Sequence, residues 1–305
     1  MKFFERLKFV IEYIPFFILC YIFSRLPDNY RIKVSSFLGN LFYIILPLRK
    51  NVAVKNINKV FPDKDNKLKK NILRDTYKHF ALFFSQFAYL SLNPELLPEI
   101  VDGTEVEKIE RIYSGNNSLI IVTGHIGVWE IGGLYLNIRG LPVTILVKRQ
   151  KNSYVASKLD KLRWTQEVDV LNRGDGLRQL VKSVKENKIP VMVGDQDGGT
   201  GGEMIPFFNK EASMTKGFAV LSYKYKIPVI PVFAVVNWLP GTKDYKIKMI
   251  VDEPIQPDFK LPKEEFVKSI LLNYNKVLEK MINRYPDQYF WFHKRWKTVS
   301  PELYK

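Results

Sequence analysis

Apolar positions follow two different patterns along this chain, and the change comes near residue 100. Before it, long apolar runs alternate with basic clusters. Phe9 to Phe23 reads FVIEYIPFFILCYIF, apolar apart from Glu12 and interrupted by Pro15, and Phe37 to Leu48 reads FLGNLFYIILPL. Both fall short of the roughly 20 apolar residues that span a bilayer. No small-residue cleavage site follows the first, so a removable signal peptide is not expected. Asn66 to Leu90 carries Leu68, Ile72, Leu73, Tyr77 and Phe80 at three- and four-residue spacing, which predicts a helix. Asn93-Pro94 and Pro98 then break the pattern.

After residue 100, short apolar runs alternate with helical periods. Strands are expected at 118–123 (SLIIVT), 142–147 (PVTILV), 168–171, 190–193 and 228–236 (PVIPVFAVV), with an edge strand at 245–251. Helices are expected at about 128–137, 153–165, 176–186, 216–226 and 263–284. This alternation predicts an α/β fold: a mixed, largely parallel sheet flanked by helices. Residues 1–100 are expected to form a helical, membrane-anchoring region and 101–305 the catalytic domain.

Charge adds a partner to this picture. The formal net charge is +16, from 47 Lys and Arg against 31 Asp and Glu. Charge alone admits nucleic acid, an anionic membrane or an acidic protein. Its placement favours the membrane and argues against nucleic acid, because Lys2, Arg6, Lys8, Arg25, Arg31, Lys33, Arg49 and Lys50 edge the apolar runs. Cys20 is the single cysteine, so no disulfide forms within the chain, and its apolar setting suits a small buried hydrophobe.

In open α/β sheets, sites gather at the carboxyl ends of strands. Three polar clusters fall there: Gly124-His125 after SLIIVT, Lys148-Arg149-Gln150-Lys151-Asn152 after PVTILV, and Asp195-Gln196-Asp197 after the fourth strand. Of three histidines, His79 sits in an aromatic helical stretch and reads as structural. His125 follows a buried strand and precedes Glu130 by five positions. Residues five apart on a helix are rotated by about 140°, so a His125–Glu130 contact needs His125 in the turn, which Gly124 and Gly127 permit. Glu130 would then orient the imidazole for general-base chemistry on a hydroxyl. A His-x4-Glu spacing alone also fits a satisfied surface pair. There is no Gly-x-Ser-x-Gly elbow, so direct transfer is favoured over a covalent acyl-enzyme. Phosphate-loop, dinucleotide and zinc spacings are missing too, so neither a metal nor a bound cofactor is expected.

These residues, taken in order, resemble a known family. Arg49-Lys50-Asn51, Asn56 and Phe61-Pro62 open the match, and Gly124-His125-Ile126-Gly127-Val128-Trp129-Glu130 is its core. Arg149 with Asn152, Asn172-Arg173-Gly174, Asp195-Gln196-Asp197, Pro206-Phe207-Phe208, Thr215, Gly217 and Pro228 to Phe233 follow. Trp291 to Lys297 (WFHKRWK) closes it. The chain resembles the lipid A biosynthesis (lauroyl/myristoyl) acyltransferases of the lysophospholipid acyltransferase superfamily. Asn209, where the family often has glycine, and the glycine-rich loop 198–202 depart from it.

The resemblance implies a glycerolipid-acyltransferase-like fold, with His125 as general base and Glu130 as its partner. It implies an acyl donor on acidic acyl carrier protein or coenzyme A, a membrane glycolipid hydroxyl as acceptor, and work at the cytoplasmic face of a bacterial inner membrane. Gly124, Gly127 and Trp129 are candidate substrate-site residues, Trp129 reading also, and more readily, as core packing, and backbone N–H groups near Gly127 at the helix start are one candidate for the oxyanion stabiliser. Arg149 with Lys148 would hold an anionic group of donor or acceptor, beside Asn152; Lys148 reads equally as part of a solvated basic face, and Arg173 either as a phosphate ligand or as a cap on local carbonyls. Asp195 and Asp197 would position sugar hydroxyls or brace Arg149, while Lys294, Arg295 and Lys297 would meet headgroups. Other acceptors, an aminolipid, glycerolipid or pigment, fit the same residues; a non-catalytic lipid-binding module would leave the His125–Glu130 arrangement unexplained.

Overall fold

The computed structural model describes residues 3–45, 49–116, 118–147, 150–164, 169–172, 176–238, 245–255 and 258–305. Helices come first: α1 (Phe3–Arg25), α2 (Asp28–Ile45), α3 (Lys50–Val60), α4 (Asn66–Leu90) and the short α5 (Leu97–Ile100). Then follow β1 (Val101–Asp102), α6 (Val106–Asn116), β2 (Ile120–Thr123), α7 (Trp129–Ile138), β3 (Val143–Val147), α8 (Ser153–Trp164), β4 (Asp169–Asn172), α9 (Gly176–Lys185) and β5 (Ile189–Val193). The chain continues with β6 (Glu203–Phe207), β7 (Lys210–Met214), α10 (Gly217–Tyr225), β8 (Val229–Trp238), β9 (Tyr245–Val251) and α11 (Lys263–Arg284).

Seven strands form one sheet in the order β1-β9-β8-β2-β5-β3-β4. Among the described residues of this sheet, β8 and β9 alone pair antiparallel, so the sheet is mixed and largely parallel as expected. β2 is buried on both faces, which its unbroken Ile-Ile-Val-Thr requires. Ile120 and Val122 join a core with α10, α11 and the C-terminal aromatics; Ile121 faces α6 and α7. The expected edge strand at 245–251 lies inside the sheet instead, because two-residue β1 pairs along its outer side. A second small sheet, the β6–β7 hairpin, has no counterpart in the sequence reading. Its turn holds Phe208 and Asn209 at φ 50° and 56°. Two left-handed residues make a tight hairpin turn, where asparagine serves as well as glycine, so the Asn209 departure is a turn requirement met.

The core does not break at residue 100. Ala53, Ile57, Leu73 and Tyr77, from α3 and α4, share one cluster with the sheet and with Trp291 and Trp296. The Asn56 amide donates to the carbonyls of Trp291 and His293, both at 2.7 Å, and its oxygen accepts from Tyr304 at 2.6 Å. The N-terminal Asn motif thus clamps the C-terminal aromatic motif.

α1 extends beyond the apolar run at both ends. By length and composition, its stretch Arg6–Arg25, 20 residues, is long and apolar enough to cross a membrane, about 30 Å at the usual helical rise. Its inner side packs on the protein: Cys20 and Phe23 are buried with Ala88 of α4. Its outer side leaves Phe4, Leu7, Ile11, Ile14, Ile18 and Ile22 exposed, a three- and four-residue stripe.

Candidate active site

β2 and β5 are parallel neighbours, with Thr123 opposite Val193. The chain therefore leaves both strands side by side, and the Gly194 N–H donates to the Thr123 carbonyl at 2.9 Å. The following residues, His125 and Asp195, meet directly. The Asp195 carboxylate takes two hydrogen bonds from one residue: Oδ1 from His125 Nδ1 at 2.7 Å and Oδ2 from the His125 backbone N–H at 2.9 Å. Asp195 is fully buried, while 21 % of the His125 side chain is exposed, so the pair runs from the interior to an open face. Burial pushes the Asp195 carboxyl up, but the His125 charge and hydrogen bonds outweigh it and hold it down at about 2. An ionised Asp195 fixes the proton on Nδ1 and leaves Nε2 as the available base. Nε2 lies 3.4 Å from the Gln196 amide nitrogen. The ring is walled by Trp129, edge-on at 5.0 Å, and Phe290 at 5.9 Å.

Glu130 is not the partner of His125. α7 starts at Trp129, so Glu130 sits in its first turn, and His125 lies before the helix in a turn that points its ring at β5. Glu130 faces α8 instead. Arg163 Nε donates to Glu130 Oε2 at 2.9 Å, Nη2 pairs with Oε1, and Asp160 lies 3.6 Å from Nη1. Burial lowers the Arg163 pKa and Glu130 more than restores it. Arg163, absent from the sequence reading, bolts α8 to α7. With both side chains largely buried, removing one partner strands the other's charge. Glu130→Ala and Arg163→Ala are each expected to cost about 3 kcal/mol, with the double variant well short of the sum. Urea denaturation of the three variants measures this; additive losses would contradict the pairing.

Gly127 has φ +65°, and a Cβ there would lie 1.9 Å from the Ala234 carbonyl oxygen, so the turn admits only glycine. Its N–H donates to Gln288 O at 3.0 Å and that of Val128 to Ala234 O at 2.7 Å. Both amides are spent on the fold, so neither of these two is free to face an oxyanion. Buried His79 contacts the Gly127 carbonyl through Nε2 at 3.0 Å, a structural role as read from the sequence. Gly124 is buried, a Cβ there meeting Leu278 at 2.9 Å. Trp129 stacks on Phe83 at 4.2 Å and forms a site wall.

Other expected substrate contacts are structural. Asn152 caps α8, its Oδ1 accepting from the N–H groups of Tyr154 and Val155, while its amide donates to Phe9 O and Glu12 of α1. Asp195 has no free oxygen facing a sugar. Asp197 accepts from Gly199 N–H, Thr298 N–H and Thr298 Oγ1, so it ties the glycine-rich loop to the C-terminal motif. Arg295 is buried, donates to Ser213 O at 2.6 Å and lies over the Phe207 ring, out of reach of a headgroup. Arg149 with Lys148, and Arg173, lie outside the described residues. Among the described residues, no cluster of three potential metal ligands occurs.

A buried carboxylate and a partly exposed imidazole thus meet at adjacent strand ends. Comparison with known proteins gives the class of the protein. The profile of the bacterial lipid A biosynthesis acyltransferases matches residues 1–298, and the chain belongs to that family. It is an acyltransferase. It is similar to the lipid A biosynthesis palmitoleoyltransferase of Escherichia coli (strain K12), 23% identical over 290 residues, covering 93% of this chain and 87% of that protein. The lauroyltransferase of the same strain is 23% identical over 282 residues (90% and 87% covered). The myristoyltransferase is 20% identical over 277 residues (90% and 83%).

Proposed function

We propose that this protein moves a fatty acyl chain from a thioester, on acyl carrier protein or coenzyme A, to a hydroxyl of a membrane glycolipid, a lipid A precursor. His125 Nε2 takes the hydroxyl proton as the oxygen attacks the thioester carbonyl carbon. Asp195 holds Nδ1–H and stabilises the imidazolium that forms. The C–S bond then breaks, and the imidazolium returns the proton to the thiolate. The products are an ester and the free carrier thiol, with no cofactor bound. Glu130 acts through Arg163 as a positioning residue that fixes α7 against α8.

The observation that carries this reading is the two-point contact of Asp195 with His125, which engages Nδ1 and leaves Nε2 as the nitrogen not bound by the carboxylate on a partly exposed ring. The acceptor class rests on the activities of the three relatives, all lipid A acyltransferases. The outward apolar stripe of α1, flanked by Arg6, Lys8 and Arg25, supports placement on the cytoplasmic leaflet of a bacterial inner membrane. The basic surface also suits an acidic carrier protein. Mass spectrometry of lipids from cells lacking the protein tests the acceptor. A glycolipid one acyl chain short, restored by wild type and not by His125→Ala, is expected; an unchanged glycolipid profile would contradict the acceptor class.

A further inference from the structure

We propose that the protein carries a discrete binding site for one anionic phospholipid, apart from the catalytic turn, in the cavity between α1, the end of α4 and α8. The cavity holds about 440 Å³, within the ~300–1,000 Å³ of small-molecule sites. Its wall is apolar where Phe17, Cys20, Ala88, Leu92 and Leu162 line it. Arg25 and Lys158 also line it, from α1 and α8 respectively. Among the described residues, neither pairs with a carboxylate; each lies over an aromatic ring, Arg25 over Tyr21 at 5.7 Å and Lys158 over Phe17 at 5.5 Å. Ser24 and Asn93 add polar atoms to the lining, so the cavity offers an apolar wall beside hydrogen-bonding groups and two cations that pair with no carboxylate, the complement of an acyl chain ending in a phosphate.

Its surroundings name the source of that phosphate. Phe17 and Tyr21 line the cavity and are also exposed, so the cavity is continuous with the apolar outer side of α1. A water-soluble anion gains nothing from such a margin; a lipid reaching in from a leaflet keeps its chains in apolar surroundings throughout. The cavity is separate from the reaction site because neighbours on α8 point about 100° apart: Leu162 lines the cavity, whereas Arg163 faces Glu130. The lipid would bridge α1 to α8 at the far end of α1 from the Asn152 contacts with Phe9 and Glu12. In this role it is a structural ligand.

This inference rests on the membrane placement proposed above, but its test involves no acyl transfer, so its failure leaves that reading standing. Full-length protein in mild detergent is titrated with phosphatidylglycerol, with phosphatidylcholine of the same chains, and with inorganic phosphate, and bound lipid is counted by native mass spectrometry. Wild type is expected to hold one phosphatidylglycerol at least about tenfold more tightly than phosphatidylcholine, undisplaced by millimolar phosphate. Arg25→Glu with Lys158→Glu should abolish that preference, and Lys224→Glu with Lys268→Glu, an equal charge change at exposed positions of α10 and α11, should keep it. Preference retained by the first pair, equal loss in the second, no preference in wild type, or displacement by phosphate would each overturn the proposal. Leu92→Trp, which crowds the cavity without changing charge, should also weaken retention; full retention by it would count against the site.

Discussion

Asp195→Asn is expected to lower kcat by about 10²–10⁴ with little change in KM. An asparagine in the same place offers Nδ1 no full negative charge, and its NH2 end competes with the two N–H groups that the carboxylate now accepts. The imidazole loses its fixed tautomer, and the imidazolium formed during attack loses the charge that stabilises it. Substrate contacts are untouched, since Asp195 is fully buried, which is why the loss falls on kcat. Steady-state acyl-transfer kinetics of folded Asp195→Asn decide this. The double variant with His125→Ala should be no slower than the slower single one, because two residues that act as a unit do not add. Multiplying losses would mean that Asp195 and His125 work separately.

The second large effect is on stability in acid. His79 and His293 are both buried, and burial holds each down at about 4. Hydrogen bonds to Gly127 O and Phe290 O use one nitrogen of each ring. Between about pH 6.5 and 4 the unfolded chain binds two protons that the folded protein refuses. Stability is therefore complete above that window and falls as pH drops through it, by up to about 2.7 kcal/mol per pH unit. Asp287 and Glu279, whose carboxyls burial pushes up, oppose the trend. Asp195 contributes in the usual carboxylate sense, its share being lost below the window, as pH falls towards 2. Urea midpoints at pH 7.5, 6 and 5 measure the slope, and His79→Gln should remove close to half of the histidine contribution. A midpoint independent of pH across this range would contradict the burial of neutral histidines.

Periodicity read the elements well because each strand and helix carries its own pattern. The 22 residues of α11 and the 25 of α4 could be placed to the residue, since apolar spacing, punctuation and length agree there. Adjacency between elements is not a local property, and it decided the site. β3 follows β2 in the chain, yet β5 is inserted between them in the sheet. The strand-end clusters were visible; that the first and third meet, and supply the partner of His125, was not. Glu130 attracted the assignment through sequence nearness, whereas its real partner Arg163 lies a helix and a strand further on. The five-residue spacing itself held the warning, since it placed His125 outside the helix that carries Glu130. Asn152 and Asp197 show the same limit. Short polar side chains near helix starts and loops are read equally well as ligand contacts or as caps, and only neighbouring elements such as α1 and the Thr298 segment separate the two.

The most direct test of the central claim is transfer by purified protein from a labelled acyl-carrier thioester to a lipid A precursor in detergent micelles. Wild type should form the ester, and His125→Ala, folded as judged by circular dichroism, should be slower by about 10²–10⁴. Ester formation by folded His125→Ala at the wild-type rate would contradict the account.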